Sequence, residues 1–74
     1  MLYQLRKAFR EQKNMEIMYL DQHNNVTQRF IRILKLNDKT VKAYCYHKKS
    51  LRIFKIDNML SGCIVSPYKR VKGA

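Results

Sequence analysis

Two arginines, Arg29 and Arg52, each open an apolar run: R-F-I-R-I for the first and R-I-F-K-I for the second. Arg29 keeps the two-residue phase of Ile31 and Ile33, and Arg52 that of Phe54 and Ile56. On β-strands this places each guanidinium in core phase but at the start of its strand, at a rim rather than in the interior. Two guanidiniums at one rim make a planar, bidentate clamp for phosphate. His47, Lys48 and Lys49, in the polar turn before the second run, add point charge beside it. Tyr44 and Tyr46 fall in the phase opposite Val41, Ala43 and Cys45, where outward rings offer bases a stacking platform worth about 1–3 kcal/mol each. The expected site is therefore Arg29, Tyr44, Tyr46, His47, Lys48, Lys49 and Arg52, and its chemistry is the holding of an anion. The competing structural reading pairs Arg52 with Asp57 or another carboxylate, leaves the lysines to solubilise a turn, and gives the tyrosines to cross-strand packing.

Other chemistries find less support. Cys45 and His47, two residues apart on one strand face, join His23 and Cys63 as four zinc-ligand side chains, but no pair has the C-x2-4-C or H-x3-5-H spacing of a structural site. No metal and no cofactor is expected. A cysteine nucleophile at Cys45 needs exposure and an orienting third group, and Cys45 is in core phase. Glu11, Glu16, Asp21, Asp38 and Asp57 are dispersed with no pairing for acid and base work, and His23 and His47 both sit in turns. The reading is of a binding protein and not of an enzyme.

The elements that must position these residues follow from periodicity. Leu2, Leu5, Ala8 and Phe9 recur at helical spacing, with Arg6, Lys7, Arg10 and Lys13 mainly on the other side, which predicts a short amphipathic helix over 1–14 stopped near Asn14 by a left-handed cap. Beyond it the period becomes two. MEIMYLD is a first strand, closed by the turn DQHNN, in which Asn24 and Asn25 suit positive backbone torsions. VTQRFIRILKLN is a long second strand with apolar residues in both phases, the mark of a bend or bulge. TVKAYCYH, LRIFKID and NMLSGCIVS supply three more strands, the last able to bend at Gly62 and stopped by Pro67. One helix cannot cover two faces of an open sheet, so the five strands should curl into a small barrel with the helix over one end. Cys45 and Cys63 both read as reduced core residues.

At 74 residues the chain supports one small core. Sixteen Lys and Arg against five Asp and Glu give a net charge of +11 and a pI near 10.1, which opposes compaction unless an anion relieves it. A polyanionic partner follows. The N-terminal residues lack the apolar stretch of a secretory signal, and no run has the length of a membrane span, so a cytoplasmic protein with no membrane role is expected. The tail 67–74 is basic, with little to bury.

The run AYCYHKKSLRIFKIDNM resembles the signature of the bacterial WYL domain, in which an AYC-like strand leads through a basic turn to an R-x-F-x-hydrophobic-D-R-hydrophobic stretch. Ala43, Tyr44 and Cys45 match the first part, and Arg52, Phe54, Ile56, Asp57 and Met59 the second. Upstream, Ile17 and Tyr19 match an I-x-Y strand, and Arg29, Ile31 and Leu36 the strand that follows, so the similarity covers roughly residues 15 to 66. The naming tripeptide would fall at Lys39, Thr40 and Val41, where only the third position keeps its character, and Asn58 replaces the second basic residue of the D-R pair. The resemblance implies an Sm-like five-stranded barrel over 15–66 behind the N-terminal helix. It also implies a ligand-sensing role in transcription regulation, with single-stranded DNA or RNA, or a nucleotide-like anion, as ligand. WYL domains usually follow a helix-turn-helix, for which there is no room before residue 15, so this module would act through a helix-turn-helix partner chain or by sequestering its ligand. The alternative function is a protein-interaction module that forms a homo-oligomer or docks onto an acidic regulator, with the positive charge steering encounter.

Overall fold

The computed structural model describes residues 2–65. The expectations for Ser66, Pro67 and the basic tail lie outside the described residues. Helix α1 (Leu2–Glu11) leads into β1 (Asn14–Leu20), β2 (Val26–Leu36), β3 (Thr40–Cys45) and β4 (Ser50–Lys55). A single 3₁₀ turn (Ile56–Asn58) then carries the chain into β5 (Met59–Val65). The strands form one antiparallel sheet in the order β4-β3-β2-β1-β5, so the fold is mainly β, with a short N-terminal helix, as the alternation requires.

The sheet curls without complete closure. Strands β4 and β5 are its two edges, and no ladder joins them among the described residues. The 3₁₀ turn connects them instead, with the Ile56 amide donating to the Lys39 carbonyl at 2.9 Å. The curl is nevertheless deep. Tyr19 of β1 reaches across two intervening strands to β4, where its hydroxyl accepts from the Lys55 amide at 2.9 Å and its ring meets Phe54 edge-on at 5.0 Å.

Two bulges bend the strands. The β2–β3 register shifts between Ile33 and Lys35, which leaves Leu34 exposed and accounts for apolar residues in both phases of β2. The second lies on β5, where Met59 and Ser61 face the consecutive residues Tyr19 and Met18, so Leu60 is the extra, exposed residue. The bend expected at Gly62 thus falls two residues earlier, and Gly62 itself pairs with Ile17.

The core joins the inner phases of the strands, with Met15, Ile17, Ile31, Ile33, Val41, Ala43, Cys45, Phe54 and Met59, to Leu5 and Ala8 of α1. The helix packs against β2 and β5. It ends earlier than its polar pattern implied. Gln12, not Asn14, takes the left-handed conformation (φ 54°), and the Lys13 and Gln12 amides donate back to the Ala8 and Phe9 carbonyls at 2.9 and 3.3 Å. This is a Schellman closure. The Gln12 side chain offsets the steric cost by donating to the same Phe9 carbonyl at 3.0 Å. Asn14 is released to open β1, where it is 5% exposed and accepts from the Tyr46 hydroxyl at 2.9 Å. Both thiols are free, and Cys45 is buried as expected. Cys63 is a correction: it pairs with Glu16 on the outer face and is exposed, because Ile64 holds the inner phase of β5.

Candidate anion-binding cleft

Arg29 and Arg52 reach one place from strands that are not neighbours. Arg29 pairs with Ile17 across β1–β2 and stands two residues before buried Ile31. Arg52 pairs with buried Ala43 across β3–β4 and stands two residues before buried Phe54. Both guanidiniums belong to the concave side, and the curl brings them to a cleft of about 350 Å³, whose other walls are Tyr19, Asp21, Gln22, Ile53, Phe54 and Lys55. Four of these eight residues are consecutive in β4, which an edge strand can contribute from both of its phases.

The two arginines differ in how they are held. Arg29 is half-buried, and its Nε donates to the Thr27 hydroxyl at 3.2 Å while the Thr27 hydroxyl donates to the Tyr19 carbonyl at 3.3 Å. A terminal nitrogen stands 4.0 Å from the Cys45 sulfur. Thr27 therefore fixes the plane of this guanidinium before any ligand arrives. Arg52 is exposed and free to adjust. One oriented donor set and one adaptable one suit a bidentate grip on a tetrahedral anion.

The floor is apolar and the walls are charged. Tyr19 and Phe54 meet edge to face at its base, while Arg29, Arg52 and Lys55 outnumber the one carboxylate in the lining, Asp21. That carboxylate is committed to its own loop. Its Oδ1 accepts from the His23 and Asn25 amides at 2.8 and 2.9 Å, and the turn is completed by Asn24 at φ 65°. The Asn25 amide, above all, holds the Asp21 carboxyl below its usual range against the opposing effect of burial, with lesser help from the His23 amide and from the charges of His23 and Arg29.

The expected site residues divide into three groups. Arg29 and Arg52 line the cleft. His47, Lys48 and Lys49 are exposed in the turn at 46–49, with Lys49 left-handed at φ 54°, and they do not line it. That turn leaves the sheet beside Arg29, since the Tyr46 amide donates to the Phe30 carbonyl at 2.9 Å. Tyr44 and Tyr46 stand on the opposite, convex side. They pack edge to face on each other at 5.2 Å, and the Tyr46 hydroxyl is spent on Asn14. Tyr19, Asp21, Gln22, Ile53 and Lys55 were not legible as site residues, because only the curl brings the 21–25 loop against β4. Asp57, the partner considered for Arg52, lies in the 3₁₀ turn outside the cleft lining.

Among the described residues, no group of three or more His, Cys, Asp or Glu side chains could hold a metal ion, and no helix is long and apolar enough to cross a membrane. No family model matches the chain, and no curated protein matches it. A solved structure does: Proteasome accessory factor B/C (PafBC) of Arthrobacter aurescens, with a TM-score of 0.75 and 23% sequence identity. The match covers 99% of this chain and 13% of that one. At this identity the likeness is one of fold: the helix and curled sheet recur as a small part of a much longer protein.

Proposed function

We propose that the chain is a WYL-like regulatory module that binds a phosphate-bearing ligand, single-stranded nucleic acid or a nucleotide, in the cleft between Arg29 and Arg52, without catalysis. One observation carries the reading: two arginines, from β2 and β4, line a single cleft across the intervening strand β3. A volume of about 350 Å³ lies at the small end of ligand sites and suits one nucleotide unit rather than a duplex. The turn cations Lys48 and Lys49 then serve the neighbouring phosphates of a longer strand. The tether of Tyr46 to Asn14 favours a packing role for the convex tyrosine pair over base stacking. Recurrence of the fold as 13% of a longer chain fits a module that works as one part of a larger protein.

The test is fluorescence anisotropy with labelled single-stranded DNA, single-stranded RNA and duplex of about 12 nucleotides each, at about 50 and 200 mM salt. Tighter binding of a single strand than of the duplex, with steep salt dependence, is expected. Affinity unchanged in the Arg29→Ala, Arg52→Ala double variant overturns the proposal.

A further inference from the structure

Strand β4 is an edge of the sheet among the described residues. The Lys55 amide donates to the Tyr19 hydroxyl and so points away from β3. By strand alternation, the backbone N–H and C=O groups of Ile53 and Leu51 point the same way, toward an edge with no neighbouring strand among the described residues. The Tyr19 hydroxyl caps the edge at Lys55, and the left-handed Lys49 bounds it at the other end. What lies between is a short window offering the polar groups of two residues.

The side chains along this window carry a pattern. Ile53 is 68% exposed and Leu51 is 53% exposed, both in the convex phase, with Leu51 beside Tyr44 in the β3–β4 register. Arg52, exposed between them, takes the concave phase. Edge strands are normally guarded by charge, and Arg52 and Lys55 do this against another copy, whose net charge is also +11. The same charges admit an acidic strand.

We infer that the β4 edge accepts an extended acidic segment of a partner protein by strand addition. The incoming strand alternates, with apolar side chains over Leu51 and Ile53 on the convex face and a carboxylate beside Arg52 on the concave face. Main-chain hydrogen bonds to Leu51 and Ile53 fix its register, and the alternation fixes which face it turns to each side. This surface stands on the edge geometry and charge, and because it shares Arg52, Ile53 and Lys55 with the cleft wall, a bound strand and a cleft ligand compete at Arg52.

The experiment uses the full chain and synthetic peptides of about seven residues alternating Glu with Val or Ile. Three controls are made: Lys in place of Glu, N-methylation at the residues whose amides face β4, and N-methylation at the alternate residues. The parent peptide is expected to bind at least about tenfold more tightly than the Lys peptide and the ladder-methylated peptide, to equal the alternately methylated one, and to slow amide exchange at Leu51 and Ile53 by a similar factor. Any of three results overturns the inference: no binding at about 1 mM peptide, equal binding of the two methylated forms, or unchanged exchange at Leu51 and Ile53 in the saturated complex.

Discussion

Replacing Arg52 with alanine should weaken oligonucleotide binding while leaving the fold intact, and both magnitudes can be worked from its position. Arg52 is exposed at the cleft wall, so its removal leaves no buried group unpaired, and its cost in stability should stay within about 0.5 kcal/mol. For a domain of this size that is a shift of about 2–4 °C in Tm. A charge-assisted hydrogen bond to phosphate is worth about 1.5–3 kcal/mol, so affinity should fall about 10- to 150-fold. Among the described residues, five cations lie at or beside the cleft, Arg29, Arg52 and Lys55 in its lining and Lys48 and Lys49 in the turn. At about 0.7 per contact the log-log salt slope should be about 3.5 in the parent and about 2.8 in Arg52→Ala. Arg52→Lys keeps the charge, so its slope should match the parent while its affinity falls with the loss of the bidentate geometry. Anisotropy titrations across a salt series, paired with circular dichroism melts, read both quantities. An alanine variant with the parent's slope and affinity would mean that Arg52 touches no phosphate.

Three further outcomes concern the scaffold. Phe54→Ala removes a buried ring in contact with Tyr19 and should cost about 3–5 kcal/mol, enough to unfold so small a domain; a melt indistinguishable from the parent would contradict the core placement. Tyr19→Phe removes the acceptor for the Lys55 amide, at a cost of about 1 kcal/mol, and should lower Tm by about 4–8 °C while Lys55 exchanges faster; unchanged exchange at that amide would show the tether to be absent in solution. Because the folded-state pKa of Asp21 lies below its unfolded value of 3.8, its contribution is present above that value and is lost as pH falls through the folded pKa. Asp21→Asn should therefore flatten the acid limb of the stability profile in that window, and an acid limb identical to the parent's would refute the role given to the loop amides.

Phase and the need for a curl were legible from the sequence, and the contacts that the curl brings about were not. The alternation of Val41, Ala43 and Cys45 marked the buried side of β3, and the shared phase of Arg29 with Ile31 and of Arg52 with Phe54 set both arginines on the concave side. The mixed phases of β2 announced the bulge at Leu34. These are local properties of one strand. The partners of Tyr19 and Tyr46 are not: Lys55 and Asn14 lie 36 and 32 residues away and are brought near by the summed twist of several strands. The same limit explains why the 21–25 loop went unrecognised as a cleft wall. Cys63 was misplaced because one extra residue, Leu60, changes the phase of β5, and an S-G-C-I-V run contains no alternation to reveal it.

The joint grip of Arg29 and Arg52 on one phosphate is tested most directly by a double-mutant cycle. Affinities of the parent, Arg29→Ala, Arg52→Ala and the double variant for the same labelled single strand, at one salt concentration, give the coupling between the two side chains. Groups that share one anion should couple by about 0.5–3 kcal/mol, so that the double variant loses less than the two single variants together. Strict additivity, with the two losses summing to that of the double variant, would place the arginines on separate contacts and contradict a shared cleft site.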